Sequence, residues 1–119
     1  MRGISGQLYG MTKTAVLAVS RGLAELVDGT SVTVNAVIPG PTNSEILSSW
    51  TKAAAQEQGI TQEQAEQQFL KTFRPAILIN RYATTEEVAN MVVYACSEQA
   101  SATTGAALRV DGGVLHSIA

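Results

Sequence analysis

The sequence predicts an α/β fold, in which parallel strands are joined by helices and one helical insertion interrupts the alternation. Three observations predict it: an almost continuous apolar, β-branched run at 31–38, helical periodicity on both sides of that run, and a glutamine-rich insertion at 43–80. The resulting order is helix, strand, helical insertion, helix, strand, which favours right-handed parallel connections. Two strands are too few for an independent sheet, so residues 1–119 are expected to form part of one α/β domain.

The composition restricts the classes of partner. Eight basic and ten acidic residues give a formal charge of −2, so neither nucleic acid nor an anionic membrane is an expected partner. No apolar run has the length of a membrane span, and the first residues lack the pattern of a secretory signal. The single cysteine, Cys96, cannot form an internal disulfide, which fits a reducing compartment. A cytoplasmic location is therefore expected, and no metal site is predicted.

The first predicted helix spans 9–27, follows an irregular lead-in over 1–8, and stops at Asp28-Gly29. One stripe at helical spacing is expected to pack on a sheet. It consists of Thr12, Val16, Val19, Leu23 and Leu26. A second stripe is built mostly from small residues: Met11, Ala15, Ala18 and Gly22. Small residues allow a second backbone to approach closely, so this stripe predicts either a contact between subunits or packing inside one domain.

Tyr9 and Lys13 stand at the start of this helix. Residues four apart lie on the same helical face, so the phenol and the ammonium are predicted to lie side by side. A fixed cation favours the phenolate form of a neighbouring phenol, which makes such a pair a plausible acid/base device. The alternative is that both side chains extend along the surface without a catalytic role.

The run Ser31–Ile38 predicts a strand buried on both faces. It ends abruptly at Pro39-Gly40-Pro41-Thr42. Ligands of open α/β sheets bind just beyond the carboxyl ends of strands, and a glycine there allows a ligand to approach the backbone. This turn is therefore a candidate binding loop, and an ordinary strand-ending turn is the alternative.

The insertion at 43–80 is predicted to contain two helices, Asn43–Gln58 and Gln62–Phe73, separated by Gly59. Thr61 and Gln64 offer a capping box for the second helix. An insertion after a binding turn is typical of a lid over a cleft. A helical hairpin that simply packs on the domain is the alternative.

The last part of the chain predicts one more helix and one more strand. Thr84-Thr85-Glu86-Glu87 contains a capping box and opens a helix to about Ser97. Cys96 is expected to be a small buried hydrophobe, since no histidine stands near it. A short strand at 106–110 is closed by the turn Asp111-Gly112-Gly113.

In this order and spacing, the motifs resemble the C-terminal half of a short-chain dehydrogenase/reductase, from about Leu8 to Gly113. The resemblance is carried by Tyr9-x-x-x-Lys13, Val34-Asn35-Ala36-Val37-Ile38-Pro39-Gly40, the helix start at 81–89, and Thr104-Gly105 running to Val110-Asp111-Gly112-Gly113. It implies the C-terminal part of a Rossmann-like, doubly wound parallel sheet with a helical lid. It also implies hydride transfer between NAD or NADP and a small carbonyl or alcohol substrate.

The resemblance further implies roles for individual residues. Tyr9 matches the catalytic tyrosine, which gives a proton to the carbonyl oxygen in reduction and removes it in oxidation. Lys13 matches the lysine that assists this tyrosine and hydrogen-bonds the nicotinamide ribose, so both are also cofactor contacts. Four more cofactor positions are matched: Pro39 and Gly40 against the nicotinamide, Thr42 at the carboxamide, and Ser44 near the phosphates.

The resemblance also defines what residues 1–119 do not contain. The family's glycine-rich phosphate loop and the residue that selects NAD or NADP are absent, and the catalytic serine would precede Met1. The segment 43–80 matches the variable substrate lid, and the helix over 9–27 matches the one that joins subunits into homo-oligomers. The chain alone is therefore expected to be inactive, and weakly folded or oligomeric. The alternatives are a non-catalytic relative that acts as an oligomerisation or interaction module, and a helical binding module unrelated to redox chemistry.

Overall fold

The computed structural model describes residues 4–117, and these alternate between helices and strands as predicted. The elements are α1 (Ile4–Leu26), β1 (Ala36–Pro39), α2 (Glu45–Gln58), α3 (Gln62–Phe73), α4 (Thr85–Ala95), a short 3-10 helix (Glu98–Ala100) and β2 (Ala107–Val110). The chain divides into two compact units. The first comprises Met1–Val37 and Val92–Leu108, and the second comprises Ile38–Met91 and Arg109–Ala119.

The two strands pair in parallel. The N–H of Ala36 donates to the carbonyl of Ala106 (2.9 Å), and that of Gly40 donates to Val110 (3.0 Å), so both strands advance in the same direction. The prediction of a strand over 31–38 that is buried on both faces is wrong in two respects. The strand β1 begins only at Ala36, and it is half-buried. The reason is that β2 begins only at Ala107, which leaves residues 31–35 without a strand opposite them.

The first unit contains α1, which begins earlier than predicted. The prediction of an irregular lead-in over 1–8 is wrong for residues 4–8, which are helical. Residues 1–3 lie outside the described part of the chain. The segment 4–8 holds one glycine and no proline, and one glycine costs a helix only about 1 kcal/mol. The stop at Asp28-Gly29 is confirmed, with Gly29 in the left-handed region (φ 73°).

The apolar stripe of α1 is exposed, and the prediction that it packs on a sheet is wrong for this chain. Val16 is 56% exposed, Val19 61% and Leu26 82%. A helix of 23 residues is about 35 Å long, whereas strands of four residues reach only about 13 Å. The small-residue stripe is also largely exposed, so packing of that stripe inside the chain is not observed either.

The core of the second unit lies beneath the α2–α3 hairpin. Leu70, Ile77 and Tyr82 are buried together, and Leu47, Phe69 and Val114 pack against them. The two helices match their predicted bounds except that α2 starts at Glu45, because Ser44 serves as its N-cap. The capping box of Thr61 and Gln64 is present, and Gly59 ends α2 in the left-handed conformation. The hairpin is thus confirmed as a structure, and its role as a lid stays a prediction.

The capping box of α4 is confirmed, but the predicted burial of Cys96 is wrong. Thr84 and Glu87 exchange hydrogen bonds between side chain and backbone at 2.8 and 3.1 Å. The helix ends at Ala95, and Cys96 immediately after it is exposed. The apolar side of α4 is uncovered at this end, since Val92 and Val93 are 44% and 67% exposed. Among the described helices, none combines the length and the apolar character that crossing a membrane requires.

Candidate active site

Helix α1 brings Tyr9 and Lys13 together, as their spacing predicts. The ammonium nitrogen of Lys13 lies 5.4 Å from the centroid of the Tyr9 ring, in a cation–π arrangement. Tyr9 is 66% exposed, so the pair is open to solvent. A small ligand could therefore reach the phenol and the ammonium from the same side of the helix.

The candidate binding loop follows β1 and lies in the second unit. The N–H of Gly40 donates to Val110, and the Thr42 hydroxyl donates to the Gly40 carbonyl at 2.9 Å. A Cβ on Gly40 would lie 2.6 Å from the carbonyl oxygen of Asp111 and 2.7 Å from its Cα. The sequence suggested that this glycine admits a ligand, whereas the structure gives a different reason: only a glycine fits against the Asp111 backbone.

The other edge of this loop is held by Ala83. Thr42 and Ala83 form an isolated parallel bridge. The Ala83 N–H donates to the carbonyl of Pro41 (2.9 Å), and the Asn43 N–H donates to the carbonyl of Ala83 (2.8 Å). Because its backbone is bonded on both edges, the loop presents a fixed surface.

Ser44 ends the loop and begins α2. Its hydroxyl oxygen accepts a hydrogen bond from the Leu47 N–H at 3.4 Å. The predicted site residues therefore form two groups in the structure. Tyr9 and Lys13 lie on α1 in the first unit, and Pro39, Gly40, Thr42 and Ser44 share one loop in the second.

Arg81 and Glu87 form a bidentate, solvent-exposed ion pair that the sequence showed only as part of a helix-start motif. The guanidinium donates to both carboxylate oxygens of Glu87, at 2.9 and 2.7 Å. The bonds from Arg81, together with the Thr84 N–H, lower the pKa of Glu87 to about 2. The pair borders a pocket of about 240 Å³ whose charged lining residues also include Arg109 and Asp111.

Replacement of Glu87 by Gln is expected to make the free energy of unfolding less dependent on pH between pH 5 and pH 2. The folded-state pKa of Glu87 is depressed, so its contribution is present above the ordinary carboxyl value near 4.5 and is lost as the pH falls toward 2. Urea denaturation between pH 5 and pH 2 would show a smaller loss of stability for the variant than for the parent chain. Equal slopes for the two proteins would contradict the assignment of this pH dependence to the Arg81–Glu87 pair.

Asp111 is a second residue whose role the sequence did not show, since its position predicts only a turn. The side chain is 9% exposed, and Oδ1 accepts a hydrogen bond from the Gly113 N–H at 3.0 Å. Oδ2 is buried without a hydrogen-bond partner, and Nε of Arg109 lies 3.9 Å away. The signal in the sequence is an Asp that follows a strand and precedes two glycines, the pattern of a side chain that caps its own turn.

The buried Tyr82 offers no competing acid/base site. Tyr82 is 4% exposed and its hydroxyl has no partner, and burial, assisted by the charge of Glu66, raises its pKa to about 12. Such a phenol is unsuited to proton transfer at neutral pH. In that part of the chain, His, Cys, Asp and Glu side chains form no group of three that could hold a metal ion.

Known proteins share both the sequence and the architecture. The model of a family described as enoyl-(acyl carrier protein) reductase matches residues 2–115. The uncharacterized oxidoreductase YvrD of Bacillus subtilis is 48% identical over 110 residues, and the match covers 92% of this chain and 42% of YvrD. The 3-oxoacyl-[acyl-carrier-protein] reductase FabG of Aquifex aeolicus is 34% identical over 113 residues, covering 94% of this chain and 40% of FabG.

Among solved structures, L-sorbose reductase from Gluconobacter frateurii, complexed with NADPH and L-sorbose, matches with a TM-score of 0.79 and 31% identity. That match covers 92% of this chain and 41% of the reductase. The chain thus spans about two fifths of the length of its relatives. The predicted fold class, part of a Rossmann-like α/β fold, is confirmed. Since the family match extends from residue 2 to residue 115, the chain belongs to the short-chain dehydrogenase/reductase family of oxidoreductases.

Proposed function

We propose that this chain supplies the catalytic residues of an NAD(P)-dependent oxidoreductase that interconverts a small carbonyl compound and its alcohol. The observation that carries the proposal is the Tyr9–Lys13 pair, with the ammonium 5.4 Å from the phenol ring on an open helical face. Reduction of a carbonyl needs a hydride at carbon and a proton at oxygen. When bound, a nicotinamide cofactor supplies or accepts the hydride. The Tyr9 hydroxyl donates the proton to the carbonyl oxygen, and the Lys13 ammonium lies beside the Tyr9 ring.

The free hydrogen-bonding capacity of the loop fits a nicotinamide cofactor. The Thr42 hydroxyl donates its proton to Gly40, so its oxygen is left to accept a hydrogen bond from a carboxamide N–H. The Ser44 oxygen accepts from Leu47, so its own O–H is left to donate to a phosphate oxygen. The resemblance implies that the nicotinamide ring would lie against Pro39 and Gly40. The loop therefore keeps one acceptor and one donor for a ligand, which supports its assignment to the cofactor.

A chimaera tests this function. In it, residues 1–119 replace the matching 42% of YvrD, and reduction of a panel of carbonyl compounds is followed by NADH and NADPH consumption. We expect turnover by the chimaera and none by the 119-residue chain alone, which contains no phosphate loop. Parent YvrD, assayed with the same panel, is the control. A folded chimaera that is inactive on every compound that YvrD reduces would contradict the proposal.

We further propose that α1 joins copies of the chain into a homo-oligomer. The support is that both stripes of the helix are uncovered: Met11 of the small-residue stripe is 69% exposed and Val19 of the apolar stripe is 61% exposed. Sedimentation velocity of the 119-residue chain should show association, and Val19→Asp should weaken it by about tenfold or more, because a charge would be buried in the contact. Val32→Asp is the matched control, since Val32 is 55% exposed and lies outside the helix. Equal effects of the two variants, or a monomeric parent chain, would argue against this contact.

The second candidate function, a non-catalytic oligomerisation module, rests on the same exposed stripe. An associating chain whose chimaera shows no turnover would favour it. The location that we propose is the cytoplasm, because Cys96 is a free, exposed thiol and reducing compartments preserve such thiols.

A further inference from the structure

The turn at Asp111–Gly113 contacts the candidate cofactor loop directly. β1 ends at Pro39, and Gly40 then lies against the backbone of Asp111 so closely that a Cβ would be 2.6–2.8 Å from three of its backbone atoms. The Gly40 N–H also donates to Val110, the residue before the turn, at 3.0 Å. The position of one edge of the loop therefore depends on the position of the Asp111 backbone.

The same turn also holds the segment that leads to Ala83. The Gly112 carbonyl accepts hydrogen bonds from the N–H groups of Leu78 (2.8 Å) and Ile79 (3.2 Å). A Cβ on Gly112 would lie 2.8 Å from the Ile79 side chain, and one on Gly113 would lie 2.6 Å from that of Leu78. The segment then continues to Ala83, which bonds the opposite edge of the loop. Both edges of the loop are thus linked to one turn.

The conformation of the turn depends on the Asp111 side chain. Gly112 and Gly113 both have positive φ, 64° and 80°. The Gly113 N–H donates a hydrogen bond to Oδ1 of Asp111 at 3.0 Å. This carboxylate is 9% exposed, so it is largely shielded from the water that competes for such a bond. Removal of the side chain would leave the part-buried Gly113 N–H without this partner and would take away one restraint on the two glycines.

We propose that Asp111 is a positioning residue that holds the Pro39–Thr42 loop in its cofactor-binding geometry through the Gly112-Gly113 turn. The proposal rests on the proposed function, because it assigns the loop to the cofactor. Asp111 itself acts through the backbone and needs no contact with the cofactor. The carboxamide of an Asn can accept the same bond from Gly113, whereas an Ala cannot. Asp111→Asn should therefore preserve the geometry of the turn, and Asp111→Ala should not.

Amide hydrogen exchange of the full 119-residue chain tests the proposal. In Asp111→Ala we expect the N–H groups of Gly40, Asn43 and Ala83 to exchange about tenfold faster, the change that follows the loss of one hydrogen bond. Asp111→Asn should restore most of the protection. The N–H of Gln64, which is bonded within the α3 cap at 3.1 Å, reports stability away from the turn. Asp28→Ala, an exposed Asp of the first unit, is the matched control.

Equally faster amide exchange at the loop and at Gln64 would overturn the positioning role, because Asp111 would then affect only the stability of the whole protein. Unchanged exchange at the loop would overturn it as well, because the side chain would then have no effect there. The affinity for NADPH, measured by titration of the YvrD chimaera, is the second readout. Asp111→Ala should weaken it by about tenfold and Asp111→Asn by far less. A loop that loosens without any change in NADPH affinity would retain the structural linkage and overturn the assignment of the loop to the cofactor.

Discussion

Replacement of Tyr9 by Phe in the YvrD chimaera is expected to lower turnover by a factor of about 10² to 10⁴, the contribution of a positioned proton donor. The substitution removes one oxygen atom and keeps the ring over which Lys13 lies at 5.4 Å. The side chain is 66% exposed, so its hydroxyl supports no buried network and the fold should be unaffected. Affinity for NADPH should largely persist, because only one of the predicted cofactor contacts is altered and Lys13 and the loop residues are unchanged. Steady-state rates and NADPH titrations measure the two effects separately.

Tyr94→Phe is the matched control for this experiment. Tyr94 is 45% exposed on α4, so the same atom is lost from another surface tyrosine. Its rate should equal that of the parent chimaera. A Tyr9→Phe variant that keeps near-full activity would show that proton transfer does not depend on Tyr9. Equal losses for both variants would point to a general effect of the substitution and would likewise remove the basis for the acid/base assignment.

Much of this structure was predictable because its signals are local. The helices of the hairpin, 45–58 and 62–73, follow from helical periodicity and from the caps at Ser44, Thr61 and Gly59. Each cap depends on groups within about one turn of it, so it can be recognised from the local sequence. The Tyr9–Lys13 contact is of the same kind, since residues four apart meet in any helix.

Apart from the early start of α1, the errors concern contacts between distant segments. The burial of the α1 stripe, of β1 and of Cys96 was predicted from apolar character alone, whereas burial needs a covering element. Within residues 4–117 the sheet has two short strands, too few to cover a helix of 23 residues. Apolar periodicity identifies the face of a helix that is suited to packing but contains no information about whether a partner is present.

The roles of Gly40 and Asp111 escaped prediction for a related reason. They are about seventy residues apart in sequence, and the contact between them forms only when β1 and β2 pair. A glycine after a strand is compatible with a ligand, a left-handed turn or a close backbone neighbour. The structure selects the third, because Gly40 is not among the glycines with positive φ and its missing side chain faces the Asp111 backbone.

Gly40→Ala is accordingly expected to be the most destabilising small substitution in the loop. The added Cβ would lie 2.6 Å from a carbonyl oxygen and 2.7 Å from a Cα, both backbone atoms that cannot rotate away. Either β1 and β2 separate locally or the hydrogen bond from Gly40 to Val110 is lost, and overpacking of this kind costs about 1–3 kcal/mol. Urea denaturation of the parent and variant chimaeras measures the difference in the free energy of unfolding.

Gly10→Ala gives a control of opposite sign. Gly10 lies inside α1, and a Cβ there would meet nothing within 4 Å, so the better helix propensity of Ala should stabilise the protein by about 1 kcal/mol. The cost at Gly40 should also grow from Ala to Val, because it arises from volume; a cost due to backbone conformation would already be complete at Ala. If Gly40→Ala were as stable as the parent, the contact with Asp111 would be too loose to hold the loop. The positioning role of the turn would then lose its physical basis.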